Sequence, residues 1–187
     1  AAVVEVGRAD DGDRLVHQIR ESLTARLMDL FDRSARPDWP WFEETLTYDN
    51  AKLAHALIQS GRAMGQPAVL ARGLDSLRWL VDVQTSENGH FRPIGSNGFY
   101  PRGGPRAHFD QQPIEATALL LAAEAAHRVT GESRYLDAME QAYGWFLGAN
   151  DGGRRVATPK RGASADGLTA TRLNLSLIHI SEPTRQE

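Results

Sequence analysis

Residues 48–84, YDNAKLAHALIQSGRAMGQPAVLARGLDSLRWLVDVQ, align without gaps with residues 114–150, IEATALLLAAEAAHRVTGESRYLDAMEQAYGWFLGAN. The offset is 66 residues, and both copies read as a helix, a glycine turn and a second helix that ends in an aromatic residue. The identities pair Leu53, Ala56, Arg62, Gly65, Leu70 and Trp79 with Leu119, Ala122, Arg128, Gly131, Leu136 and Trp145. A repeated helical hairpin predicts a stacked all-α architecture.

Apolar periodicity predicts five helices, over residues 13–33, 47–64, 67–84, 113–130 and 133–147, and only a weak strand over residues 2–6. Asp13 and Ser133 are the expected N-caps. The fourth helix is apolar nearly all round, so we expect it to be buried on most sides. The expected inward faces are Leu15, Ile19, Leu23, Leu27 and Leu30 on the first helix, Leu53, Ala56, Leu57, Ser60 and Met64 on the second, and Leu136, Met139, Tyr143, Phe146 and Leu147 on the fifth.

The lengths of the connections predict that the two ends of the helical stack differ. Short links join the helices within each hairpin, whereas segments 34–46, 85–112 and 149–174 are long and rich in Gly, Pro and polar residues. Long loops are usually functional or disordered. Because antiparallel helices alternate in direction, the long loops should share one end of the stack. Asp49 and Glu115, which are equivalent in the repeat, should lie there, so we interpret that end as the working face.

The long-loop segments combine residue types that suit a sugar. Aromatic rings stack on the apolar faces of sugars, and carboxylates and amides bind hydroxyl groups. Two carboxylates across a cleft can also act as general acid and base. We predict catalytic roles for Asp49, Asp110 and Glu115. The predicted substrate-binding residues are Trp41, Glu44, Tyr48, Asn50, His90, Phe91, Tyr100, Arg106, His108, Gln111 and Gln112.

A structural interpretation of the same residues stays open. A carboxylate in the first turn of a helix complements the helix dipole, and an amide at that position caps the helix. His90 and His108 have no regular spacing and no neighbouring cysteine, which makes a poor case for a metal. We therefore expect neither a metal nor a cofactor.

Composition excludes several classes of function. The net charge of −3 over 187 residues gives no electrostatic footprint for nucleic acid, and no apolar run of about 18 residues predicts a membrane span. The chain has no cysteine, which excludes a disulfide scaffold and a thiolate metal site. It also fits a reducing compartment, so a cytoplasmic location is expected.

The C-terminal segment differs from the rest of the chain. Residues 175–185, LSLIHISEPTR, resemble a translated sequencing adapter, and they follow a Gly/Ser/Thr-rich stretch with no turn signal. We expect residues 175–187 to be a non-native tail. Residues 1–174 are then expected to be a fragment of one domain, truncated at both ends. Such a fragment should expose apolar surface of its inner helices.

Five segments carry a resemblance to a known group: residues 46–51, 100–104, 109–116, 145–151 and 166–168. They are similar to α/α-toroid families, in particular to a bacterial group of six-hairpin, glycosidase-like domains often fused to glycosyltransferases. The resemblance covers about residues 37–174, and residues 109–116, FDQQPIEA, are its most specific part. It implies a partial (α/α)6 toroid of stacked hairpins that binds a saccharide. The favoured interpretation is a carbohydrate-active enzyme, and the alternative is a non-catalytic binding or scaffolding domain linked to a glycosyltransferase.

Overall fold

The computed structural model describes residues 14–158 and 163–175. Those residues form five α-helices: α1 (Arg14–Ser34), α2 (Ala51–Met64), α3 (Pro67–Val83), α4 (Pro113–Thr130) and α5 (Ser133–Leu147). Six two-residue strands pair antiparallel: β1 (Thr45–Leu46) with β2 (Tyr100–Pro101), β3 (Ala157–Thr158) with β4 (Ala163–Ser164), and β5 (Gly167–Leu168) with β6 (Leu173–Asn174). The described part of the chain is mostly helical, which confirms the predicted all-α class.

Three predictions fall outside the described residues: the strand over residues 2–6, the Asp13 cap and the non-native tail from residue 176 onward. Within the described ranges, none of the helices combines the length and apolar character needed to cross a membrane.

One predicted helix start and one predicted N-cap are wrong. The second helix was expected from Thr47, but α2 begins at Ala51 because Asp49 has a left-handed backbone with φ 56°. The Asn50 side chain closes the turn before α2 by accepting from the Thr47 N–H (3.0 Å) and donating to its carbonyl (3.2 Å). Ser133 is the first residue of α5 rather than its cap, a position that Glu132 occupies.

The repeat corresponds to two helical hairpins, α2–α3 and α4–α5, which are joined through contacts between α2 and α4. Each hairpin turns on a left-handed glycine, Gly65 with φ 62° and Gly131 with φ 71°. Glycine adopts that conformation without steric cost. A shallow cavity lined by Gly65 and Arg128 shows that both tight turns lie at the same end. The long connections therefore share the opposite end, as the sequence predicts.

Helix α4 lies at the centre of this packing, as its composition predicts. Its buried residues are Glu115, Ala116, Ala118, Leu119, Ala122, Ala123, Ala125 and Ala126. Alanines on two faces let α2 and α5 approach the α4 backbone closely. Only the side that carries Ile114 and Leu121, 40% and 41% exposed, has no helix packed over it in the described part of the chain.

The predicted inward faces of α1 and α5 are wrong in phase. On α1 the buried residues are Val16, Arg20, Thr24 and Phe31, and on α5 they are Tyr135, Ala138, Ala142 and Trp145. On α5 the buried face combines Ala138 and Ala142 with the large side chains of Tyr135 and Trp145, whereas Tyr143 is 57% exposed. On α1 the leucine row is exposed because α1 packs mainly against α2, with a further contact of Arg72 on α3 to Phe31 and Asp32. The fragment interpretation predicts exposed apolar surface on the inner helices; of these, α4 exposes Ile114 and Leu121, and the longer exposed row lies on α1.

An aromatic cluster anchors the first long connection to the hairpins. Trp39 packs edge-on against Trp79 and Tyr100, with ring centroids 5.0 and 5.1 Å away, and its Nε1 donates to the Glu43 carbonyl at 2.7 Å. Trp41 contacts both Trp79 and Phe42, the aromatic residue that follows it in the loop. The cluster fixes the chain that leads into β1 and then into α2.

The close approach of α2 and α3 depends on Gly61. A Cβ at this position would lie 2.5 Å from the backbone nitrogen of Leu70, which cannot move independently of α3. We expect Gly61→Ala to lower the free energy of unfolding by about 1–3 kcal/mol, as measured by urea denaturation.

The matched control is Gly144→Ala on α5, where the added methyl group meets only the Ala149 side chain at 3.3 Å. Its effect should stay below about 1 kcal/mol, because the helix gains from replacing glycine. Equal stability of the two variants would contradict the close packing at Gly61.

Candidate functional site

The N-termini of α2 and α4 meet at the Glu115 carboxylate. Glu115 is 2% exposed, and its Oε2 accepts from Asn50 Nδ2 at 3.1 Å and from Gln84 Nε2 at 3.0 Å. Asn50 immediately precedes α2, and Gln84 immediately follows α3. One carboxylate therefore joins three helix ends, and Asn50 and Glu115 are neighbours at the long-loop end.

The electrostatics of Glu115 are unusual for a carboxylic acid. Burial raises its pKa from 4.5 to about 7, although the amides of Asn50 and Gln84 and nearby backbone N–H groups favour the charged form. Its Oε1 is buried and makes no hydrogen bond to the described residues. Glu115 is thus a carboxylic acid that can hold a proton near neutral pH.

Asp49 lies beside this junction in a conformation that costs free energy. Its φ of 56° is left-handed, and its Oδ1 is buried without a hydrogen-bond partner among the described residues. Burial raises the pKa of Asp49, and Lys52 partly offsets the shift. Its backbone N–H lies near the Glu115 carboxylate. The two acids that the repeat makes equivalent are therefore neighbours, each with a buried oxygen that lacks a donor.

Asp110 lies at the same end, in a pair of loop segments that backbone hydrogen bonds hold together. Gly95 N–H donates to the Ala107 carbonyl at 2.9 Å, and the Ser96 N–H and hydroxyl both donate to the Asp110 carbonyl. A Cβ on Gly95 would meet the Phe109 carbonyl oxygen at 2.0 Å, so only glycine fits there. The Asp110 side chain makes no hydrogen bond or ion pair to the described residues and is half-buried. The loop pair therefore presents a carboxylate that remains available.

A third cluster surrounds Asp151, which sequence analysis did not select. His90 Nε2 lies 2.8 Å from its Oδ1, Arg92 Nε donates to both oxygens at 2.9 Å, and Gln111 Nε2 donates to Oδ2 at 2.6 Å. Burial would raise the pKa of Asp151, but hydrogen bonds from Arg92, His90 and Gln111 outweigh it and hold that pKa below its usual value. Asp151 is therefore a charged anchor for the long loops.

Several predicted substrate-binding residues are engaged within the protein. Gln111 is fully buried, and its Oε1 accepts from Trp145 Nε1 at 2.7 Å while its Nε2 bonds to Asp151 and to the His108 carbonyl. Arg106 donates to the carbonyls of Val83 and Arg92, and burial lowers its pKa to about 10. These contacts within the protein favour a structural role, although the buried Nε of Arg106 makes no hydrogen bond to the described residues.

The predicted aromatic platforms differ in access. Trp41 and Phe91 are buried, at 0% and 1% exposure, so neither ring offers a face to solvent. Tyr48 is 61% exposed, and Tyr100 is half-buried in the aromatic cluster. The remaining predicted polar residues lie near the surface: Glu44 pairs with Arg102, His108 is exposed, and Gln112 is half-buried near Ser96.

The shape of the long-loop end limits what it can hold. One cavity lies at this end, between residues 88–90 of the long loop and the α5 residues Asp137, Glu140 and Gln141, so the predicted residue His90 lines a cavity. Asp49, Asp110 and Glu115 line neither this cavity nor those on α1 and at the tight turns. Within residues 14–158 and 163–175, no three His, Asp or Glu side chains are grouped closely enough to hold a metal ion. Asp49, Gln84 and Glu115 each bury one oxygen that no donor of the described residues meets, so this end is rich in hydrogen-bond acceptors, and the half-buried Asp49 is the part of it nearest to solvent.

One residue of the junction, Gln84, was missed although the repeat contains a signal for it. Gln84 is equivalent to Asn150, so an amide recurs where the second helix of each hairpin ends. Asn150 uses its amide locally, donating to the carbonyls of Trp145 and Arg154, whereas Gln84 reaches the next hairpin. The recurrence could have identified both residues as helix-end contacts.

The raised pKa of Glu115 predicts a pH dependence of stability. The folded protein binds more protons than the unfolded chain between the ordinary pKa of 4.5 and the folded value of about 7. The free energy of unfolding should therefore fall as pH rises through this window, by up to about 3 kcal/mol for a shift of this size. Glu115→Gln should flatten the fall, as measured by urea denaturation at several pH values, and Asp49 should leave a smaller slope of the same sign.

Glu124→Gln is the matched control on α4, because Glu124 forms a surface pair with Arg128 four residues on. Its stability should follow the wild-type curve across the same pH window. If Glu115→Gln also ran parallel to the wild type, the protonated state of Glu115 would be contradicted.

Comparison with known proteins leaves the site without a family. Neither a protein-family model nor a curated protein matches this chain. A function for the site must therefore be argued from its residues and their geometry.

Proposed function

We propose that the chain belongs to a six-hairpin, glycosidase-like (α/α)6 toroid and that its long-loop end binds and processes a saccharide. The two helical hairpins, packed through α2 and α4 with all long connections at one end, support the architecture. A further series of such hairpins would close the ring. On this proposal residues 14–174 supply part of the ring.

The observation that carries the saccharide proposal is the surplus of acceptors at the Glu115 junction. Asp49 Oδ1, Gln84 Oε1 and Glu115 Oε1 are buried, and no donor of the described residues meets them. Buried polar atoms in proteins nearly always have a partner. These three atoms are closed to solvent, so a saccharide would reach the junction through the half-buried Asp49, whose carboxylate can accept hydrogen bonds from uncharged sugar hydroxyls.

The raised pKa values assign roles to the acids. Asp49, half-buried with a raised pKa, fits a general acid, because burial favours the protonated form that can donate to a leaving oxygen. Asp110, whose carboxylate has no described partner, fits a general base or a group that orients a hydroxyl. Glu115 is too buried to touch a substrate directly, so we assign it to positioning Asn50 and Asp49.

The alternative is a non-catalytic saccharide-binding or scaffolding domain linked to a glycosyltransferase. The burial of Trp41, Phe91 and Gln111 favours it, since these residues then stabilise the loops. Glu115 would in that case be a tie between helices, with its raised pKa a consequence of burial. The enzymatic and the non-catalytic function both place a sugar at the same end, and they differ only in whether the sugar is turned over.

Substitution of the accessible acids separates the two candidates. Turnover would be measured as release of reducing sugar from oligosaccharides and of nitrophenol from nitrophenyl glycosides. We expect Asp110→Asn and Asp49→Asn each to lower kcat by about 10²–10⁴-fold, the usual contribution of a general acid or base, with an unchanged circular-dichroism spectrum.

The control is Asp75→Asn, an exposed acid on α3 that pairs with Arg78 and should leave turnover unchanged. Sugar binding without turnover in the wild type would favour the non-catalytic alternative. Absence of both sugar binding and turnover, or full turnover in both acid variants, would contradict the proposal.

A further inference from the structure

A groove separates α1 from α2, and its Lys52 side adjoins Asp49 of the Glu115 junction. It encloses about 320 Å³, at the small end of the roughly 300–1,000 Å³ typical of ligand pockets. Its walls are largely apolar and are formed by Leu23, Leu27 and Leu30 of α1 and by Leu53 and Leu57 of α2. These three leucines of α1 belong to the face that the sequence predicts to be buried. In the structure they line the groove.

Arg20 lines this groove and has no partner among residues 14–158 and 163–175. The residue is only 4% exposed, and no nitrogen of its guanidinium makes a hydrogen bond or ion pair with the described residues. A buried cation without a partner is costly, because desolvation is not offset by an opposite charge. Arginines of this kind are usually held by a carboxylate or a phosphate.

The remaining polar groups of the groove have the same preference. Arg26 and Lys52 add two further cations to the lining, Thr24 and Ser60 add hydroxyl groups, and none of the lining residues is acidic. The groove therefore combines an apolar interior with a positive potential. Its complement is an apolar body with one negative end.

A second copy of the chain fits the groove poorly. If two α1 helices paired antiparallel about Leu23, Arg20 of one copy would lie opposite Arg26 of the other, three residues on either side of the centre. Two cations facing each other in an apolar contact repel. The charge pattern thus favours a separate, anionic occupant.

We propose that the groove binds an aliphatic carboxylate, with its chain between the leucines of α1 and α2 and its carboxylate on the Arg20 guanidinium. A carboxylate suits the site better than a phosphate, because one buried arginine pairs with one negative charge in a bidentate contact. This site is independent of the saccharide proposal and lies on a different pair of helices.

The test uses decanoate as the probe. Decanol and decyltrimethylammonium serve as comparison ligands that carry the same ten-carbon chain but no charge and a positive charge, respectively. Titration calorimetry below micellar concentrations should give saturable one-to-one binding of decanoate. Decanol should bind about tenfold to a hundredfold more weakly, because it lacks the charged contact, and the cation should not bind.

Arg20→Leu should reduce decanoate affinity to the level of decanol. It should also leave the melting temperature of the ligand-free protein unchanged or higher, because a buried cation without a partner is removed. Lys52→Gln changes only a half-buried rim position and should weaken decanoate binding severalfold. The control is Arg33→Gln on α1, where Arg33 is exposed and pairs with Asp29, and binding should be unaffected.

Three results would overturn the proposal. Equal affinity for decanoate and decanol would mean that charge plays no part. A large fall in the melting temperature of Arg20→Leu would mean that Arg20 has a structural role. A dimer in solution that dissociates when Leu23 is replaced by Asp would mean that a second copy occupies the groove.

Discussion

The arrangement of this protein depends on one buried carboxylate. Glu115 receives amide hydrogen bonds from the residue before α2 and from the residue after α3, and it begins α4 itself. Two helix N-termini direct partial positive charge toward it, which favours a carboxylate, while burial favours the neutral acid. Burial prevails, and the balance leaves the pKa of Glu115 close to neutral pH. The contact that joins the hairpins is therefore also the contact most sensitive to protonation.

The long loops are organised by a second, separate network. The Asp151 carboxylate is hydrogen-bonded to His90, Arg92 and Gln111. Gln111 in turn accepts a hydrogen bond from the Trp145 indole. Because this network is saturated, it makes a rigid support rather than a reactive group. Asp49 and Asp110 are half-buried acids whose carboxylates have no hydrogen-bond partner among the described residues, unlike Glu115 and Gln84, whose unpaired oxygens are fully buried. Support and reactivity thus lie in different residues of the same loops.

The sequence predicts the hairpins well, because helix length, glycine turns and loop lengths are local or periodic signals. It predicts poorly which face of a helix is buried. On α5 the small residues Ala138 and Ala142 are buried, because close packing against the alanine-rich α4 requires small side chains. The neighbourhood of Asp49 and Glu115 followed from the repeat. The Asp151 network did not, since its members are 40 to 61 residues apart and share no spacing. Arg20 was missed because an arginine on an amphipathic helix usually faces solvent.

The central claim is that Glu115 is a protonated acid near neutral pH. Its carboxyl carbon can be followed by ¹³C NMR across a pH titration, with assignment by loss of the signal in Glu115→Gln. A midpoint near pH 7 is predicted, well above the ordinary value of 4.5. A midpoint at or below 4.5 would contradict the account, because Glu115 would then be a charged helix tie whose environment favours the carboxylate.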